Sequence, residues 1–160
     1  MKHILYVTLM FVGVLLSMFT GCSKQQDKVI DIAEDDPEMV AAIAKARDTL
    51  PQFWDVFDKR PHGETNFSLK VKFTGKKGSE HFWLNEIERR DGKVYGTVEN
   101  DPNIVHHVKR GARMEIPEAD ISDWFYMRDR KMVGNRTLRV LFKTMPAAEV
   151  KRYQQTMADP

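Results

Sequence analysis

Apolar positions change their period several times along this chain, and each change marks an element. Met39, Ile43, Ala46 and Leu50 recur at helical spacing and predict a helix with one buried face. Asp36-Pro37-Glu38 in front of them supplies an acidic cap, a proline at the first helical position and a carboxylate in the first turn. Pro51 interrupts the run, because the residue before a proline avoids the helical region. A short second helix then carries Phe53, Trp54, Val56 and Phe57, and Pro61-His62-Gly63 closes it.

The period next falls to two. Phe67, Leu69, Val71 and Phe73 alternate with Ser68, Lys70 and Lys72, the pattern of a half-buried strand. Gly75-Lys76-Lys77-Gly78 is a turn, Glu80 to Arg90 a second strand and Lys93 to Glu99 a third. Asp91-Gly92 between the last two is a strong two-residue hairpin signal. Such a turn pairs Ile87 with Gly96 and Asn85 with Val98, and places Trp83, Ile87, Val94 and Val98 on one face. Asp101-Pro102 opens a short helical segment with Ile104, Val105 and Val108, stopped by Gly111. Arg113 to Pro117 is a further short strand. Trp124 to Arg128 and Lys131 to Val133 form another hairpin around Asp129-Arg130, broken by Gly134-Asn135. Leu138, Leu141, Phe142 and Met145 predict a helix from Thr137 to Met145, and Pro146 starts a last one through about Met157. The expected class is α+β: an antiparallel sheet of about five strands with N-terminal and C-terminal helices.

The one long apolar run, Ile4 to Phe19, lies outside this pattern. It follows Lys2 and leads through Thr20-Gly21 into Cys22, the single cysteine of the chain. It is short for a transmembrane helix, which needs about 20 residues. The segment resembles the lipobox of bacterial lipoproteins, with Phe19 where Leu is usual. The resemblance implies a signal peptide over 1–21, cleavage before Cys22, a diacylglyceryl thioether on its thiol and an N-terminal acyl chain. More than one chain anchors stably. Ser23, rather than Asp, follows Cys22 and resembles outer-membrane rather than inner-membrane sorting. Residues 22–35 read as a flexible acidic tether and 36–160 as one domain. With Cys22 acylated no thiol remains for disulfides, thiolate metal sites or cysteine catalysis.

Charge adds local detail. The net charge is +2, which gives no argument for nucleic acid as a partner. Residues 27–38 are acidic, and Lys109, Arg110, Arg113, Arg128, Arg130, Lys131, Arg136, Arg139 and Lys143 make the later part of the chain basic.

Met39 to Leu50-Pro51-Gln52-Phe53, Trp83-Leu84, Asp91-Gly92-Lys93, Gly111, Ile121-Ser122-Asp123-Trp124-Phe125-Tyr126, Val133-Gly134 and Thr137-Leu138-Arg139-Val140-Leu141 together resemble the YegJ-like family of bacterial domains of unknown function. The resemblance spans roughly residues 36–145. It implies a single domain and carries no activity with it.

The chemistry-bearing residues give few constellations. His106-His107 with His81 could supply zinc ligands, but adjacent histidines point about 100° apart on a helix and to opposite faces on a strand. No metal or cofactor is expected. Ser122, His81 and Asp120 or Asp123 could be imagined as a triad, yet no nucleophile elbow surrounds Ser122. Glu86 and Glu88 read as a solvated strand face beside Arg89 and Arg90. No catalytic residue is assigned. Trp124 and Tyr126, on one face of a hairpin, are expected in either the core or a recognition patch, together with Arg136 and Arg139. A cation in a first helical turn is unfavourable, so both arginines point to an anionic partner, with a local salt bridge to Asp120, Asp123 or Asp129 as the plainer expectation. The expected function is a non-enzymatic envelope lipoprotein that binds a protein or cell-wall partner, an immunity-type protein being one version. The alternative is a hydrolase acting on an envelope polymer.

Overall fold

Asp36 opens the first helix as its sequence requires. Its carboxylate accepts from the backbone N–H groups of Glu38 and Met39, each at 3.0 Å, and Pro37 takes the first helical position. The computed structural model describes residues 36–158, so the expected signal peptide, Cys22 and the expected tether lie outside the described residues. Helix α1 (Pro37–Asp48) ends at Thr49, and α2 (Leu50–Lys59) restarts across Pro51 and stops at Arg60, which is left-handed at φ 44°.

Six strands follow where about five are predicted: β1 (Thr65–Gly75), β2 (Gly78–Arg90), β3 (Lys93–Val98), β4 (Arg113–Glu115), β5 (Ile121–Arg128) and β6 (Lys131–Gly134). They form one antiparallel sheet in the order β4-β3-β2-β1-β5-β6. Helices α3 (Arg136–Leu141) and α4 (Ala147–Thr156) close the chain. The α+β class is as expected.

The core lies between one sheet face and α1 and α2. Phe53, Phe67, Leu69, Val71, Phe82, Leu84, Trp124 and Tyr126 are all buried there. Phe53 sits at its centre, 5.6 Å from Trp124 and 5.7 Å from Phe67 between ring centroids. Each such side chain contributes about 1.5–3 kcal/mol by leaving water. Helix α1 is tied to β5 by two side chains: Trp124 Nε1 donates to Ala46 O at 2.9 Å, and Arg47 Nε to Ile121 O at 2.8 Å.

Three expectations are corrected. The Asp91-Gly92 turn forms, with φ 53° and 73°, and starts the predicted register at Arg90↔Lys93. A bulge between Asn85 and Glu88, with Glu86 at φ 47°, then shifts the pairing by one residue. Leu84, not Asn85, therefore faces Val98, and Trp83 moves to the opposite face from the core. Residues 101–111 form turns rather than a helix, although Val105 and Val108 are buried as that helix would have buried them. The cause is Glu80: its carboxylate accepts from the N–H groups of Asn103, Ile104 and Val105 at 2.9–3.1 Å. Those donors are satisfied without helical bonds. Finally, the helix expected over 137–145 shortens to Arg136–Leu141 and a 3-10 turn, Phe142–Thr144. Pro146 holds Met145 extended, at ψ 151°, and the last turn tightens before it.

Two carboxylates make the fold acid-sensitive. Glu64 has a fully buried side chain that meets Arg128 Nε at 2.7 Å and accepts from His62 N at 3.0 Å. Burial pushes its carboxyl up, but the backbone N–H bonds and the Arg128 guanidinium outweigh this and hold it below its ordinary 4.5. For Glu80 burial likewise raises, while the N–H groups of 103–105 and nearby His106 lower it further, with the same net direction. Groups lowered by folding stabilise fully above their unfolded value and lose that contribution as the pH falls through the folded one. Stability should therefore be flat above about pH 5.5 and decline progressively through and below 4.5. Glu80→Gln should flatten the decline, a comparison that urea melts across this range would read. An unaltered acid limb would contradict the role given to Glu80.

Candidate functional site

The structure resolves the Trp124 and Tyr126 question toward the core. Both rings lie on the helix-covered face, stacked at 5.9 Å with only 8° between their planes, and are 3 % and 4 % exposed. Their burial withdraws them from any recognition surface. They belong to the core because β5 presents alternate residues to each face, and Phe67 and Phe53 fill the space opposite.

Arg136 and Arg139 do not make the expected salt bridges. The Arg136 guanidinium lies over the Trp124 ring, 5.2 Å from its centroid, and Arg139 donates to the Ala158 carbonyl at 2.7 Å. Asp123, an expected partner, is committed elsewhere: its carboxylate accepts from Thr137 N and Thr137 Oγ1, both at 2.7 Å, and from Trp124 N. Ring and carbonyl hold these arginines in place without cancelling their charge.

The other sheet face carries a polar group that the strand register assembles. Lys70 on β1 stands opposite Trp83 on β2 and Asp123 on β5, and Lys72 stands opposite His81. Lys70 Nζ donates to Thr137 Oγ1 at 3.1 Å and lies 5.7 Å from the centre of the Trp83 ring. Burial pushes its amine down, and the Asp123 carboxylate opposes that shift. Ser122 sits at a bulge of β5, where its Oγ lies 2.8 Å from His81 Nδ1 and 3.2 Å from the Lys70 carbonyl oxygen.

The imagined Ser122-His81 pair is thus in contact, and the two expected acids have other surroundings. Asp123 is turned to Thr137, and Asp120 is exposed in a 3-10 turn. Ser122 is 1 % exposed, so its hydroxyl bridges strands rather than meeting solvent. Glu86 and Glu88 also have local partners: Glu86 accepts from Thr97 Oγ1 at 2.7 Å, and Glu88 pairs with Arg113 at 2.6 Å. His106 and His107 are exposed on a turn. The described residues hold no group of three or more His, Cys, Asp or Glu placed to bind a metal ion.

Sequence reasoning missed a groove. A cavity of 530 Å³ opens between α2 and the β2–β3 hairpin, lined by Trp54, Asp58, Arg89, Arg90, Lys93 and Glu118 among others. That volume is in the range of ligand clefts, about 300–1,000 Å³. Arg89 lies over the Trp54 ring at 5.1 Å and pairs with Asp58 at 2.9 Å, while Arg90 lies over Tyr95 at 5.2 Å. One guanidinium of the groove, that of Arg89, thus lies over an aromatic ring before any partner arrives, while the Arg90–Tyr95 contact is on the opposite face of the hairpin. The available signal was the position of Trp54: with Leu50, Phe53 and Phe57 on the buried stripe of α2, the adjacent Trp54 is turned about 100° from Phe53.

Comparison with known proteins adds kinship but no chemistry. The profile of the family described as "Uncharacterized protein conserved in bacteria (DUF2314)" matches residues 36–158. The chain is similar to the uncharacterized protein YegJ of Escherichia coli (strain K12), 33 % identical over 141 residues, which cover 88 % of this chain and 91 % of that one. It is also similar to a putative ankyrin repeat protein of Neisseria meningitidis serogroup B, 30 % identical over 132 residues, covering 77 % of this chain and 52 % of that one. No solved structure matches the chain.

Proposed function

The chain belongs to this family of uncharacterised bacterial proteins, and within it we propose that this member is a lipid-anchored binding domain of the cell envelope, acting on a protein or cell-wall partner without catalysing a reaction. The anchor reading rests on the apolar run ending at Cys22, and Ser23 supports placement at the outer membrane. The binding reading is carried by the groove beside α2, where the Arg89 guanidinium already lies over Trp54. Arginine and tryptophan are the residues in which interface energy concentrates, and a guanidinium already fixed on a ring loses little freedom on binding. An immunity-type role, in which the groove would cap a toxin in the periplasm, is one concrete form of the same reading. A hydrolytic alternative would run through Ser122 and His81, whose hydroxyl is held within the sheet.

Photo-crosslinking in living cells tests the proposal. A crosslinking residue placed at the exposed Asp91 or Asp58, on the groove rim, should give a discrete adduct. Arg89→Glu should remove that adduct while leaving the protein folded, because Arg89 is exposed. Cys22→Ser should release the protein from membrane fractions. Failure to obtain an adduct from either rim position would refute the groove; equal membrane retention of the Cys22 variant would refute the anchor.

A further inference from the structure

The last part of the domain has an uncompensated charge. Between residues 128 and 160 the acidic residues are Asp129, Glu149 and Asp159, against eight lysines and arginines. Arg130, Lys131, Arg136, Arg139, Lys151 and Arg152 form no ion pair with a carboxylate among the described residues. This contrasts with the β2–β3 side of the sheet, where Arg89, Arg90, Lys93 and Arg113 all have acidic partners.

These cations are drawn together by the fold. Lys131 donates to the Gln155 carbonyl at 2.6 Å and Arg139 to the Ala158 carbonyl at 2.7 Å, so β6 and α3 both converge on the end of α4. Met157 bridges to Met132, and Tyr153 stacks on Phe142 at 6.2 Å. The exposed Lys151 and Arg152 lie on α4 itself. The carbonyls at the helix end favour nearby cations, but they carry only partial charges and do not cancel them.

The placement of this layer relative to the start of the domain gives it a partner. Glu38, in the first turn of α1, pairs with Lys143 between α3 and α4. The chain that leads back toward Cys22 therefore enters beside the cationic layer. From Asp36 to Cys22 it can span at most about 50 Å even fully extended. The groove beside α2 lies toward the other side of the sheet: β6 and β3 are separated by β2, β1 and β5, a distance of roughly 19 Å at the usual strand spacing.

We propose that the α3–α4 cationic layer docks the domain on a membrane surface of anionic phospholipid headgroups, with Arg130, Lys131, Lys151 and Arg152 facing the phosphates. This rests on the lipid-anchor reading, which holds the layer close enough to act. A lysine or arginine at an anionic surface contributes about 1 kcal/mol, and the contribution fades within about 8 Å at physiological salt. Docking would turn the Trp54 groove away from the bilayer and toward its partner.

The full lipidated protein is reconstituted in vesicles of phosphatidylcholine alone and of phosphatidylcholine with phosphatidylglycerol, and amide exchange is followed over Ala147–Thr156. Exchange should slow severalfold in the anionic vesicles only, recover at high salt, and be insensitive to lipid composition in the Lys151→Glu, Arg152→Glu variant. Equal exchange in both vesicles would overturn the proposal. Slow exchange in both, relieved by Asp27→Asn, Asp31→Asn, Glu34→Gln and Asp35→Asn together, would also overturn it and assign the layer to the chain's own acidic segment. Mass spectrometry of Cys22 separates the anchor from the surface. If Cys22 carries no lipid, co-sedimentation with anionic vesicles must still fall at least about tenfold in the charge-reversed variant, and its absence would overturn the docking surface independently.

Discussion

Trp124→Ala is expected to lower the stability of the domain by about 3–5 kcal/mol, the range for truncating a large aromatic in a packed core. The ring is enclosed by Phe53 at 5.6 Å, Tyr126 at 5.9 Å and the Arg136 guanidinium at 5.2 Å. Its indole N–H is also the donor to Ala46 O, so truncation empties a large volume and takes a partner from a helix carbonyl. Arg136→Ala, which removes only the cation above the ring, should cost no more than about 1 kcal/mol. Urea denaturation of the two variants separates a ring that holds α1 onto the sheet from a ring that serves the arginine. Equal small losses would contradict the core assignment.

Gly134→Ala should be comparably damaging, at about 2–6 kcal/mol, for a reason that involves no lost contact. Gly134 sits at φ 95°, and a methyl there would fall 2.7 Å from Cε3 and Cζ3 of Trp124 and against its carbonyl oxygen. The backbone cannot easily retreat, because the next N–H, that of Asn135, donates to that same carbonyl at 2.8 Å. Gly92→Ala is the control. It has a similar positive φ of 73°, but nothing lies within 4 Å of its added carbon. The thermal midpoint should fall much further for Gly134→Ala than for Gly92→Ala. If the two fall equally, backbone conformation alone explains both and the close approach to Trp124 carries no weight.

Local rules read much of this fold. The Asp36 cap, the break at Pro51 and the Asp91-Gly92 turn each depend on a few adjacent residues, and each is where the chain predicts it. The β2–β3 register failed because its bulge puts Glu86, neither Gly nor Asn, at positive φ, which no turn signature announces. The loop over 101–111 failed because a carboxylate on a separate strand satisfies its N–H groups, an interaction that hydrophobic spacing does not encode. The site was less legible for the same reason. Ser122 and His81 could be singled out by type, but their contact depends on a bulge and on β1 standing between them. Arg89 reads as part of a solvated face in the sequence, and α2 brings Trp54 beside it.

The central position of β1 sets the order in which the sheet can assemble. It pairs on one side with β2, the next strand in sequence, and on the other with β5, which begins only at Ile121. The β1–β2–β3 meander and the β5–β6 hairpin close through local contacts, whereas joining β1 to β5 must bring distant segments together and is the slow, nonlocal step. As the chain is synthesised from its N-terminus, β1 waits with one edge unpaired until β5 arrives. The waiting stretch, Phe67 to Val71, contains Phe67, Leu69 and Val71 and no acidic side chain. During that interval it is a template for the β1 edge of another copy. The hazard in this domain therefore belongs to the incomplete chain, and arrival of β5 removes it.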